Sequence, residues 1–167
     1  MENENTILGA IQIGFTLNGV EVETLVEADE MLIDVLRRDF NCLSVKAGCH
    51  EGSCGACTII VDGKPVLSCL LRGWQIADKD VWTLEGVGSY DAPHPVQQAL
   101  VDNGAVQCGF CIPGMVLSAK AVLDENPVPD DDEMRHAMDG NLCRCTGYEK
   151  IWDALTSVID ANRKGGK

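Results

Sequence analysis

Eight of the nine cysteines fall into two groups of four. Cys49, Cys54 and Cys57 are spaced C-x4-C-x2-C, and Cys69 follows later in the chain. That is the plant-type spacing for a [2Fe–2S] cluster, in which each iron takes two thiolates. A tight loop must then bring three sulfurs to one small inorganic core. Gly48, Gly52 and Gly55 lie between and beside the ligands. They permit left-handed backbone and close approach, and let N–H groups point at an anionic centre. A zinc site usually draws on two separated C-x-x-C knuckles instead, so this group reads as iron–sulfur. The second group is Cys108-Gly-Phe-Cys111 with Cys143-Arg-Cys145. By spacing alone it admits a four-cysteine zinc site or a redox pair as well as a cluster. Cys111 precedes a predicted helix, whose N-terminal dipole is expected to favour thiolate over thiol. Cys42 is left over and reads as a small buried hydrophobe beside the first helix.

The elements that must hold these loops change character midway. Ile11 to Leu17 alternates apolar and polar residues, Asn18-Gly19 supplies a two-residue turn, and Val20 to Val26 returns. Met31, Leu32, Val35, Leu36 and Phe40 have helical spacing, with Asp29 as the expected N-cap. Thr58–Val61 and Pro65–Ser68 flank Asp62-Gly63 as a second hairpin. Val81–Leu84 is a last short strand. The second half is helical. Helices are expected over Val96 to Leu100, ended by Gly104, and over Met115 to Leu123, with Pro113 near the start and Pro127 beyond the end. A third runs Asp130–Asp139, with Asp130 and Glu133 at capping-box spacing. Tyr148, Ile151, Trp152, Leu155, Val158 and Ile159 form the stripe of a fourth, and the chain from Asn162 is expected to fray. The stretch from Gly86 to Pro93 marks the boundary between the halves.

Composition narrows the function classes. The chain has 167 residues, 46% of them hydrophobic, and a formal charge of −13. An acidic surface repels nucleic acid and anionic membrane. No stretch reaches the ~20 apolar residues of a membrane span. The N-terminal MENENTILGAIQIGF lacks the basic and apolar regions of a leader. A cytoplasmic location is therefore expected, where thiols stay reduced and a thiol-rich chain points to metal. His50 beside Cys49 does not make a Rieske site, which needs two histidines on one iron. His94 and His136 read as solvent or helix surface. The acidic run from Asp130 to Glu133 reads as a solvated helix start, and Arg144 as an exposed residue between two ligands. The sequence contains no P-loop, dinucleotide fingerprint or triad signal.

The strings GCHEGSCGACTIIVDGKPVLSC, AVQCGFCIPGM and GNLCRCTGY, in that order, closely resemble the iron–sulfur subunit of the xanthine oxidase family of molybdenum hydroxylases. The resemblance runs from about Ile11 to about Ile159. It implies an α+β chain with an N-terminal β-grasp, plant-type ferredoxin-like domain at 1–85. A C-terminal four-helix-bundle [2Fe–2S] domain follows at 86–167. It implies two [2Fe–2S] clusters, one on Cys49, Cys54, Cys57 and Cys69 and one, nearer molybdenum, on Cys108, Cys111, Cys143 and Cys145. It also sets Gln107 and Cys145 against a pterin. The implied partners are a large molybdopterin-binding subunit and a medium FAD-binding subunit. The chain would then conduct electrons between them and would not be catalytic alone. The competing readings are a free-standing ferredoxin and a zinc-stapled interaction module.

Overall fold

The computed structural model describes residues 9–165. Residues 1–8, part of the stretch expected to lack a leader, and 166–167 lie outside the described residues. Among the described residues, five strands form one mixed sheet: β1 (Ala10–Leu17), β2 (Val20–Glu27), β3 (Thr58–Val61), β4 (Lys64–Leu67) and β5 (Asp80–Trp82), in the order β2-β1-β5-β3-β4. β1 pairs antiparallel with β2 and parallel with β5, and β3 pairs antiparallel with β4 and β5. Asn18 (φ 53°) with Gly19 and Asp62 (φ 49°) with Gly63 make the two tight turns that the sequence predicts. The β2 edge carries Glu21, Glu23 and Glu27, charges that discourage pairing with another chain.

Helix α1 (Leu32–Asp39) covers one sheet face and buries Leu32, Ile33, Val35 and Leu36 completely. Its cap differs from expectation. Met31, not Asp29, is the N-cap residue, and no side chain caps it. The first helical N–H, of Leu32, instead donates to the Leu71 carbonyl at 2.8 Å, so backbone from a distant turn replaces the side-chain cap.

The second half holds α2 (Pro95–Asp102), α3 (Ile112–Glu125), α4 (Asp131–Met138) and α5 (Glu149–Gly165), which share one apolar core. Asp130 does cap α4, accepting from the Glu133 N–H at 2.8 Å. The return half of that box is absent, because Glu133 Oε2 accepts from Asn126 at 2.9 Å. Fraying from Asn162 is not observed: α5 continues to Gly165, and the Asn162 side chain donates to the Pro127 carbonyl at 2.8 Å. His94 is not a bare surface residue either. It caps α2, its Nδ1 accepting from the Val96 N–H at 3.3 Å, and burial lowers its pKa.

The halves are packed through β3. Alternation sends Ile59 into the core shared with α1 and Ile60 into the helical core. With both faces covered, Thr58, Ile59 and Ile60 are all buried, so β3 reads as a continuous apolar run. No helix among the described residues is long and apolar enough to cross a membrane.

Two paired thiol sets in adjoining loops

The first loop runs from α1 to β3 and is tied at both ends. At its start the Arg37 guanidinium donates to the carbonyls of Leu43 (3.3 Å) and Val45 (2.7 Å). Further on, the Lys46 N–H donates to the Ala56 carbonyl at 3.1 Å. Cys69 arrives from the other side on a short 3₁₀ turn, Ser68–Leu70, whose Ser68 hydroxyl donates to the Cys57 carbonyl at 2.9 Å. The sulfurs meet in twos. Cys49 and Cys54 are half-buried and in mutual contact, and Cys57 and Cys69 are buried and in mutual contact. Cys69 also feels the charge of Cys49, so the two pairs adjoin. Gly48 is needed for approach: a Cβ there would lie 2.8 Å from Cys54 Sγ.

The second set repeats this plan. Cys108 and Cys145 are exposed, with their sulfurs 3.5 Å apart, while the buried Cys111 contacts the half-buried Cys143. Each set therefore has an outer and an inner pair. Outer Cys49 is pulled down to about 6, first by the Glu51 N–H at 3.5 Å and then by Ser53. Inner Cys69 is pushed up to about 11 by burial and by Cys57. At Cys111 other influences act against the helix dipole. Burial and the neighbouring Cys143 sulfur push its thiol up to about 12. Cys143 itself is held below the ordinary value. Burial raises it, but the Thr146 hydroxyl at 3.1 Å and the N–H groups of Cys145 and Thr146 outweigh that.

This arrangement fits [2Fe–2S] better than a single ion. Two adjoining pairs of thiols, with N–H groups aimed at sulfur, are what two bridged irons demand.

The two loops also touch each other. The Leu142 N–H donates to the Cys54 carbonyl at 2.9 Å, one residue before Cys143. Gly55 (φ 69°) and Gly114 of α3 meet backbone to backbone, with Asn141 wedged beside both. Asn141 Nδ2 donates to Ser118 Oγ at 2.8 Å, while its buried Oδ1 has no hydrogen-bond partner and faces the two glycines. Weak Cα–H contacts are the interactions left to that oxygen. Sequence reading passed over Asn141, and only its place in GNLCRC could have marked it. Cys42 is buried as expected, with the Thr83 hydroxyl 3.7 Å from its sulfur. Gln107 is exposed beside the outer pair of the second set, and His50 and Arg144 are exposed.

Known proteins match this chain in two consecutive blocks. Residues 15–84 match the family described as "2Fe-2S iron-sulfur cluster binding domain", and residues 83–156 the family described as "[2Fe-2S] binding domain". The "Nicotinate dehydrogenase small FeS subunit" of Eubacterium barkeri is 48% identical over 153 residues, covering 92% of this chain and 98% of that protein. The chain belongs to the small iron–sulfur subunits of the molybdenum hydroxylase (xanthine oxidase) family. The fold of this iron–sulfur subunit agrees. Quinoline 2-oxidoreductase from Pseudomonas putida 86 contains a chain superimposing with a TM-score of 0.86 at 42% identity, covering 93% of this chain and 98% of that one. Aldehyde oxidoreductase from Desulfovibrio gigas gives 0.87 at 42% identity, covering 94% of this chain but 18% of that one. The same fold thus occurs as a separate chain and as part of a long one.

Proposed function

We propose that this subunit carries electrons inside a multisubunit molybdenum hydroxylase. They would pass from a molybdopterin-bearing large subunit toward an FAD-bearing medium subunit. The observation that carries the reading is the pair of thiol sets, each sorted into an outer and an inner pair and joined by the Leu142–Cys54 hydrogen bond. Two bound [2Fe–2S] clusters would supply one-electron chemistry. Cys49, Cys54, Cys57 and Cys69 would hold one, and Cys108, Cys111, Cys143 and Cys145 the other. The division into a β-grasp, ferredoxin-like domain at 1–85 and a helical cluster domain at 86–167 belongs to the same proposal. The chain's own work is to orient sulfur, bury the inner pairs and direct N–H groups at the ligands. Nine free thiols suit a cytoplasmic, reducing compartment. Relatives named for nicotinate, nicotine and quinoline support an N-heteroaromatic substrate, bound on the large subunit.

Anaerobic purification from the native host tests this. The chain is expected to co-elute with larger subunits and to carry two clusters of two irons, four in all. Two distinguishable [2Fe–2S] paramagnetic signals should appear on reduction. A lone monomer, or two irons with one zinc, would refute the proposal.

Gln107 would reach the pterin of the large subunit. It is exposed and precedes the outer ligand Cys108. A neutral amide offers both a donor and an acceptor to the mixed edge of a pterin. Gln107→Ala is expected to keep four irons while cluster reduction by substrate slows several-fold, as the loss of one hydrogen bond of about 0.5–1.5 kcal/mol predicts. Unaltered cluster reduction together with unaltered molybdenum content would remove this role.

A further inference from the structure

Among the described residues, six other than glycine adopt positive φ: Asn18, Asn41, His50, Asp62, Asp78 and Tyr148. Five are Asn, Asp or His, types that enter the left-handed region readily. Tyr148, at φ 70°, is the exception, and it follows Gly147 at φ 66°. An aromatic residue there is strained, and such strain persists only where surrounding contacts enforce it. Two consecutive left-handed residues swing the chain back on itself just after the C-R-C turn. The Tyr148 hydroxyl consequently accepts the Cys143 N–H at 2.7 Å and lies 3.5 Å from the Asn141 carbonyl. The Tyr148 N–H donates to Thr146 Oγ1 at 3.2 Å, and that hydroxyl donates to Cys143 Sγ at 3.1 Å. Tyr148 and Thr146 thus hold the inner residue Cys143 from opposite sides, one at its backbone nitrogen and one at its sulfur.

We propose that Tyr148 and Thr146 are positioning residues that set the reduction potential of the second cluster in opposite directions. The inference rests on Cys143 being a ligand of that cluster. Thr146 Oγ–H gives hydrogen-bond density to the sulfur, which favours the more negative, reduced state and raises the potential. Tyr148 Oη does the reverse. It engages the Cys143 N–H, keeping that donor from sulfur. Tyr148→Phe keeps the ring but frees the N–H, and this favours the reduced state. Thr146→Val removes a donor from sulfur.

The test is a potentiometric titration of the assembled complex, followed by paramagnetic resonance, with the first cluster as internal reference. Tyr148→Phe is expected to raise the midpoint of the second cluster and Thr146→Val to lower it, with the first cluster unmoved in both. Thr146→Ser should restore the original value, because the hydroxyl returns. A merely structural role would shift both variants the same way, or shift both clusters, and either result overturns the inference. So does an unchanged midpoint in both variants. Cys143→Ser separates the two levels of the argument. Loss of the second cluster in that variant, with no shift in the other two, would leave the ligand assignment standing and refute the roles of Tyr148 and Thr146. Retention of both clusters would refute the assignment and the inference together.

Discussion

Cys111→Ser is expected to leave the subunit with two of its four irons. Cys111 is the most enclosed thiol of the second set, at 7% exposure, and stands immediately before α3. Its partner in the inner pair, Cys143, is fixed by the Tyr148 and Thr146 hydroxyls, so no other thiol can swing into the vacancy. A serine oxygen is a harder, less readily ionised ligand, and burial disfavours its charged form further. The first set does not share this fate. It is held by the Arg37 ties and the Ser68–Cys57 bond, which the substitution leaves alone. Metal analysis should therefore show iron halved, with the paramagnetic signal of one cluster gone and the other intact. Cys42→Ser is the control. Its sulfur lies outside both sets, so iron should stay at four, with a cost of about 1–2 kcal/mol for a buried hydroxyl. Full iron in Cys111→Ser, or halved iron in Cys42→Ser, would show the ligand sets to be wrongly drawn.

Gly114→Ala should destabilise the chain even though alanine favours helix over glycine by about 1 kcal/mol. Gly114 lies inside α3, and a Cβ there would overlap the Gly55 carbonyl and come within 2.8 Å of Asn141 Oδ1. The obstacle is backbone, so it cannot rotate aside. Relief requires α3 to move away from the first cluster loop, stretching the Leu142–Cys54 bond. Overpacking of this kind costs roughly 1–3 kcal/mol or more, which exceeds the helix gain. At about 2–4 °C per kcal/mol for a chain of this size, a Tm drop of about 5 °C is expected. Gly140→Ala, where a Cβ meets nothing within 4 Å, should change the Tm little. Equal melting of all three proteins would mean that the glycine contact bears no weight.

The hairpins, all five helices and the grouping of eight cysteines into two sets were legible because each rests on local signals. Asn-Gly and Asp-Gly turns, apolar periodicity and ligand spacing are all properties of neighbouring residues. What escaped depends on distant partners. Asp29 looks like a cap, yet the first N–H of α1 is met by Leu71, far along the chain. The dipole at Cys111 is local, whereas the burial and the Cys143 sulfur that act against it are supplied by the fold. Tyr148 fits the apolar stripe of α5, and nothing in that pattern reveals its left-handed backbone or the hydroxyl turned to Cys143. Asn141 matters through Gly55 and Gly114, which only the folded chain brings beside it.

The parallel pairing of β1 with β5 sets an order of events during synthesis. Thr16 pairs with Asp80, and β5 lies between β1 and β3 in the sheet. Neither neighbour can take its final place until the last-made strand has left the ribosome. All four thiols of the first set emerge earlier, ending with Cys69. At about 5–20 residues per second, they wait on the order of a second before Trp82 follows. The brace from Leu142 to Cys54 arrives later still. The nascent chain thus displays a complete set of ligands before it owns the sheet that will enclose them.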